Sequence, residues 1–384
     1  MITRDIAYIG VDDTDLDLFE SQYIIPNGIS YNSYLIKDEK IAIMDTADNR
    51  KIDEWLGNLR TALDGRTPDY LVVQHMEPDH AGCIAEILEE YPAIKIVASA
   101  RAIQMMPQFF EDKDFSQNTI AVKEGDTLCL GEHTLQFFMA PMVHWPEVMV
   151  TYDKKDKVVF SADGFGKFGA LSHEEDWACE ARRYYFNICG KYGGPVQALL
   201  KKLATLDVEC ICPLHGPILK ENLGYYIGLY DTWSKYDVET EGVFIAYASI
   251  HGGTAAVANV MAEILREKGA KKVSVADLSR DDMAEAIEDA FRMDKMIVAA
   301  ASYDGGVFPV MHDFLHHLQI KAYQKRRVGI IENGSWAPCA GRVMRGMLEQ
   351  MKDVEIVEPM VTILSRMKQS DRAALEALAD AILK

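Results

Sequence analysis

The sequence predicts an α/β chain of two domains, and three observations carry that expectation. Its 384 residues, 49% of them hydrophobic, are too many for one ordinary core and few for three. Up to about residue 240 short apolar runs alternate with polar turns, the grammar of strands. Beyond it apolar runs and helical spacings alternate strictly, the grammar of a parallel sheet covered on both faces.

Residues 31–46 show two apolar runs around the charged turn Lys37-Asp38-Glu39-Lys40, a hairpin signal. A short apolar run, Tyr70–Val73, is followed by Gln74 and then by HMEPDH. Leu128–Met139 and Met149–Phe160 read as further strands about Gly131-Glu132 and the DKKDK turn. Helices are expected only from Glu174 to Tyr236, interrupted by CICPLHGP at 210–217. The domain boundary is expected at 240/241, in the polar stretch before GVFIAYAS. After it, strands are expected at Val243–Ala248, Lys272–Asp277, Met296–Ala301, Val328–Ile331 and Glu355–Pro359. Each is followed by a helix: Thr254–Lys268, Asp281–Phe291, Pro309–Leu318, Gly341–Gln350 and Gln369–Leu383. Five such units in residues 241–384 fit a flavodoxin-like doubly wound sheet.

Composition narrows the function. Forty Lys+Arg against 59 Asp+Glu leave a net charge of −19, which argues against nucleic acid and against anionic lipid as partners. No apolar run is long enough to span a bilayer, and the start MITRDIAYIGVDDTD lacks a signal core. The seven cysteines (83, 129, 179, 189, 210, 212 and 339) form no CxxC, so neither a disulfide framework nor a thiolate metal site is expected. A soluble, reduced, cytoplasmic protein is the expectation.

The segment His75-x-Glu77-x-Asp79-His80 packs four ligand-capable side chains into six residues directly after a predicted strand. If the segment is extended, alternate residues point the same way, so His75, Glu77 and Asp79 can converge. His144, Asp163 and His215 each follow an apolar run in the same manner. A lone histidine is ordinarily a packing residue, but the set is too regular for that reading. Four imidazoles and three carboxylates exceed one tetrahedral zinc and suit two metals bridged by a carboxylate. Mixed nitrogen and oxygen ligation without thiolate favours iron or manganese.

Three loops after predicted strands of the second domain suit a phosphate and a planar ring. The first is Ser249-Ile250-His251-Gly252-Gly253-Thr254, at a helix N-terminus. The second is Ser302-Tyr303-Asp304-Gly305-Gly306, and the third contains Asn333-Gly334-Ser335-Trp336. In open α/β sheets such loops meet at the carboxyl ends of the strands. No G-x-G-x-x-G occurs, which argues against a dinucleotide site.

HxExDH followed by His, Asp and His resembles the metallo-β-lactamase fold, whose hydrolases carry HxHxDH. Glu77 stands where those enzymes have a second His, and its hard oxygen shifts preference toward iron. Joined to a flavodoxin-like domain, the pattern resembles the flavodiiron proteins over essentially the whole chain. The resemblance implies an N-terminal metallo-β-lactamase-like αββα sandwich followed by a flavodoxin-like doubly wound parallel sheet. It implies one iron on His75, Glu77 and His144, another on Asp79 and His215, and Asp163 bridging them. Members of the family differ over whether the residue at His80 binds iron.

It further implies FMN in the three loops, with Tyr303 and Trp336 against the isoalloxazine. His251 and Gly252 depart from the family's Ser/Thr-rich phosphate loop. Trp145 and Tyr192 are candidates to line the iron pocket. The implied activity is reduction of O2 to water or NO to N2O, with electrons passing through FMN. The donor would be separate, a rubredoxin, a flavin reductase or reduced deazaflavin, and the assembly a head-to-tail homodimer or a dimer of dimers. The alternative readings are a dinuclear hydrolase with a regulatory flavodoxin-like domain, which Glu77 disfavours, and a flavin-only electron carrier.

Overall fold

A computed structural model describes residues 2–111 and 113–384. The chain divides into two compact units, Met1–Asp231 and Thr232–Lys384. The division falls ahead of the expected 240/241, because residues 235–237 are tied to the second unit. Arg326 donates to the carbonyls of Tyr236 and Asp237 at 2.9 and 3.1 Å, and Lys325 donates to that of Lys235 at 2.8 Å.

The first unit is a sandwich of two sheets. One runs in the order Ile6–Tyr8, Tyr34–Lys37, Ile41–Met44, Tyr70–Val73, Lys95–Ser99, Thr119–Val122. Its first two pairings are antiparallel and the rest parallel. The other runs Thr127–Cys129, Thr134–Met139, Met149–Asp153, Val158–Phe160, Cys210–Cys212, and only its last pairing is parallel. Ile36, Met44, Val72 and Val97 of the first sheet share a buried core with Phe137, Met149, Val158 and Phe160 of the second. Strands buried on both faces read as continuous apolar runs, which is why Tyr70–Val73 was legible to the residue.

Helices begin much earlier than the sequence suggested. Ile52–Leu63 buries Trp55, Leu59 and Leu63, a stripe at intervals of four, and ends on Asp64 in the left-handed region at φ 49°. Ala100–Phe109 is capped by Ser99, whose hydroxyl accepts from the Ala102 N–H at 3.1 Å. Both pack against the first sheet.

The second unit is a five-stranded parallel sheet ordered Val273–Asp277, Thr240–Ala248, Met293–Tyr303, Arg327–Asn333, Glu355–Ile363, with Gly306–Val307 as a short antiparallel flap. Helices Gly253–Glu267 and Arg372–Ile382 pack together on one face. Met283–Arg292, Pro309–Ile320 and Ala340–Leu348 pack in sequence as a second group. Gly329 allows the close approach of Arg372–Ile382, since a Cβ there would lie 3.1 Å from Leu378. The strand order reverses between Thr240–Ala248 and Met293–Tyr303, the switch point at which such sheets bind ligands.

Candidate metal centre and flavin loops

Every proposed metal-binding residue lies just past a strand of the first unit. His75 follows Tyr70–Val73, His144 follows Thr134–Met139, Asp163 follows Val158–Phe160 and His215 follows Cys210–Cys212. The segment HxExDH is not extended throughout. Pro78 starts a helical turn, Pro78–Ala81, with Glu77 as its N-cap. His75 and Glu77 therefore meet in one cluster, whereas Asp79 and His80 turn into another, so the expected alternation stops at Pro78.

In the first cluster His75 Nε2 lies 3.1 Å from Glu77 Oε2, 3.3 Å from His144 Nε2 and 3.3 Å from Asp163 Oδ2. His144 Nε2 lies 3.0 Å from both Glu77 Oε2 and Asp163 Oδ2. Spacings of 3.0–3.3 Å are those of atoms that share one metal at bonds of about 2 Å. In the second cluster Asp79 Oδ2 lies 3.4 Å from His80 Nε2 and 3.3 Å from His215 Nε2. Asp163 turns its other oxygen, Oδ1, to this group, 3.1 Å from His80 Nε2 and 3.9 Å from His215 Nε2. Among the described residues Asp163 is thus the side chain presented to both.

Both oxygens of Asp79 and of Asp163, both nitrogens of His80 and Nε2 of His215 are buried without a hydrogen-bond partner. Orphaned polar atoms at that density are costly unless a cation satisfies them. Glu147 supports the first cluster: its Oε1 lies 2.8 Å from His75 Nδ1 and accepts from the Met76 N–H at 2.9 Å. This bond leaves Nε2 of His75 as the free donor, the carboxylate–histidine arrangement of metal sites. His215 is set likewise, with Nδ1 2.7 Å from the Ser30 carbonyl. The four carboxylates Glu77, Asp79, Glu147 and Asp163 around neutral imidazoles carry a charge that two divalent cations would cancel.

The electrostatics are those of a site built for cations. Burial favours neutral imidazole, yet Asp163, Glu147 and Glu77 outweigh it and hold His75 well above its ordinary value. The same contest pushes His144 up to about 9. Burial opposes charge on Glu77 and Asp163 too, but the imidazoles hold both well below the usual carboxylate range. Aromatic rings wall the pocket: Trp145 stands edge-on to His75 at 5.2 Å, and Phe19 and Tyr184 each lie 5.5 Å from His215. The tyrosines at this wall are Tyr184 and Tyr31, the latter 6.2 Å from His215; the expected Tyr192 belongs to the turn Gly190–Tyr192, with its ring under Lys191. Glu147 and Tyr184 were missed, since nothing in their local sequence sets them apart from other buried residues.

In the second unit the three expected loops lie at the carboxyl ends of adjacent strands. Gly252 has φ +81° and precedes the helix Gly253–Glu267. A Cβ on Gly253 would lie 2.5 Å from the Ser365 carbonyl, so the loop after Glu355–Ile363 closes on this helix end. Asn333 makes that closure: its Nδ2 donates to the Ser365 carbonyl at 2.9 Å and to Thr254 Oγ1 at 3.4 Å, while Oδ1 accepts from the Ser365 N–H at 3.0 Å. Its amide is spent on holding loops together. Ser302 does similar work, accepting from the N–H groups of Cys339 and Ala340 at 2.8 and 3.1 Å. Ser335 Oγ accepts from Ser365 Oγ at 2.8 Å.

Trp336 is 92% exposed and Tyr303 45%, so neither is a core aromatic. Ser249 Oγ is buried without a partner, and His251 and Asp304 are exposed. An orphaned hydroxyl and exposed rings at a switch point are the features a flavin phosphate and isoalloxazine would complete.

Residues 29–216 match the family described as "ODP family beta lactamase". An uncharacterised protein of Methanocaldococcus jannaschii is 30% identical over 91% of this chain and 89% of its own length. The anaerobic nitric oxide reductase flavorubredoxin of Escherichia coli is 28% identical over 88% of this chain and 72% of its own. The rubredoxin oxygen:oxidoreductase of Desulfovibrio gigas superposes with a TM-score of 0.93 at 26% identity, over 100% of this chain and 97% of its own. A variant of the flavo di-iron protein of Thermotoga maritima gives 0.88 at 25% identity, over 98% and 94%. No helix among the described residues is long and apolar enough to cross a membrane. With its sandwich unit, its parallel doubly wound unit and these relatives, the chain belongs to the flavodiiron protein family.

Proposed function

We propose that the chain is an oxidoreductase that reduces O2 to water, NO to N2O, or both, at a non-haem diiron centre. The nitric oxide reductase named flavorubredoxin and the rubredoxin oxygen:oxidoreductase, both similar to this chain, support the reaction class. The observation that carries the reading is Asp163, whose two buried oxygens face two separate ligand groups. His75, Glu77 and His144 would hold one iron, Asp79, His80 and His215 the other, and Asp163 would bridge them. His80 enters this set because its Nε2 lies as close to Asp163 as the neighbouring ligands do. When bound, the iron pair supplies multi-electron reduction of a diatomic oxidant, and FMN supplies electrons one or two at a time.

The chain's own part is to orient and to shield. Glu147 and the Ser30 carbonyl fix the tautomers of His75 and His215. Phe19, Tyr184 and Trp145 keep the pocket apolar around the ligands. Gly252 and Gly253, Ser249 and Thr254 would receive the FMN phosphate at the helix N-terminus. Tyr303 and Trp336 would lie against the isoalloxazine, with Asn333, Ser302 and Ser335 bracing the loops. A rubredoxin or a flavin reductase would supply electrons, and a head-to-tail homodimer would bring one subunit's FMN to its partner's irons. The test is metal and flavin analysis of anaerobically prepared protein, then stopped-flow mixing of its reduced form with O2 and with NO separately. Two irons, one FMN and rapid flavin reoxidation by either gas are expected; zinc with no flavin reoxidation would refute the reading in favour of a hydrolase.

A further inference from the structure

The first unit carries a second cluster of histidine and carboxylates, distinct from the iron pocket. His133 directly precedes the strand Thr134–Met139, whose far end leads toward His144. Six residues of strand separate the two ends by about 20 Å. At this end the ligand atoms of Asp5, His133 and Asp156 lie within 4.8 Å of one another. His133 is fully buried. Its Nδ1 lies 3.0 Å from Asp153 Oδ2, and its Nε2 faces Asp5 Oδ2 at 3.4 Å.

We propose that Asp5, His133 and Asp156 form a further divalent transition-metal site, with Zn2+ as its representative ion. Asp153 acts on His133 as Glu147 acts on His75. A carboxylate accepting from Nδ1–H fixes the tautomer and leaves the Nε2 lone pair for a metal. A second observation points the same way. Asp153 is itself fully buried, and its Oδ1 has no hydrogen-bond partner. Lys155 pairs with Asp5 and with the neighbouring Glu132. The Lys155 ammonium lies 2.7 Å from Asp5 Oδ2 and 2.7 Å from Glu132 Oε2. It is a half-exposed, flexible group that an incoming metal displaces, whereas His133 and Asp153 are held rigidly. One imidazole with carboxylates and water suits zinc or manganese.

The rival arrangement is a protonated His133 shared between Asp153 and Asp5, with Lys155 completing an ion-pair network and no metal. Removing Lys155 separates the two, because it frees a metal site but strips a network of its cation. The full chain, loaded with iron and FMN, is dialysed against micromolar Zn2+ and assayed for zinc and iron together. One zinc per chain with undiminished iron is expected. Asp156→Asn, in a half-buried turn position, should weaken zinc uptake at least tenfold, His133→Ala should abolish it, and Lys155→Gln should tighten it. Zn2+ should raise the melting temperature of the unsubstituted chain but not of Asp156→Asn. Equal zinc uptake by the unsubstituted chain and Asp156→Asn, or a Lys155→Gln chain that binds no more zinc and melts lower, would overturn the proposal. Because iron is counted separately, its loss would tell against the diiron reading without bearing on this site.

Discussion

Replacing Glu147 by glutamine tests whether that carboxylate tunes the metal centre or merely fills space. Its Oε1 accepts from the Met76 N–H at 2.9 Å and lies 2.8 Å from His75 Nδ1, all of it buried. Glutamine keeps the shape and an acceptor oxygen but loses the charge that makes Nε2 of His75 a strong donor. Losing such a supporting carboxylate costs about 10–100-fold in metal affinity, or about 1.4–2.7 kcal/mol. Alanine would also leave the Met76 N–H and His75 Nδ1–H unpaired in a dry interior, at about 1–3 kcal/mol each, and so destabilise the fold itself. The two substitutions should therefore separate. In Glu147→Gln the metal-free protein keeps its urea midpoint while iron is lost to a graded chelator 10–100 times more readily. In Glu147→Ala both quantities fall. A Glu147→Gln protein that holds both irons as tightly as its parent would refute the argument.

Three further outcomes are expected. In Asp163→Asn only one oxygen remains, so a single side chain can no longer serve both ligand groups; iron should drop to one per chain or fewer and turnover of O2 and NO should vanish, with flavin content unchanged by absorbance. In metal-free protein burial disfavours charge on His144, but Asp163 and Glu77 prevail and push it up to about 9. The folded state then binds that proton more tightly than the unfolded chain, at about 6.5, so its contribution is whole below that pH and lost as pH rises to 9; the urea midpoint should fall across this window, and a flat profile would contradict the sign. Trp336, 92% exposed, should be replaceable by alanine within about 0.5 kcal/mol of folding stability, while FMN affinity measured by fluorescence titration falls severalfold. An unchanged flavin affinity would remove Trp336 from the site.

The elements most legible in the sequence were those whose neighbours are near in the chain. Tyr70–Val73 reads as a buried strand because all its residues are apolar. The five β–α units from Thr240 onward read clearly because each strand and its helix differ in period. The helix Ile52–Leu63 was lost because its buried residues, Trp55, Leu56, Leu59 and Leu63, are interrupted by Gly57 and Asn58 and follow a strand-rich stretch. The turn at Pro78 was likewise hidden inside a segment that reads as extended.

Residue chemistry alone pointed to a set of metal-ligating residue types without thiolate and to a sheet with loops of the kind that suit a phosphate. It could do so because HxExDH is contiguous and the strand-end positions of His144, Asp163 and His215 repeat one local pattern. Only the tertiary structure decided how that set divides, with His80 beside Asp79 and the two oxygens of Asp163 facing different groups. It alone also revealed Glu147 under His75, Asn333 bracing the loops and Asp153 under His133. These depend on pairings between residues far apart in the chain, 72 positions in the case of His75 and Glu147 and 79 in that of Asn333 and Thr254. Sequence spacing carries no trace of such pairings, because they exist only once the strands are in register and their ends converge.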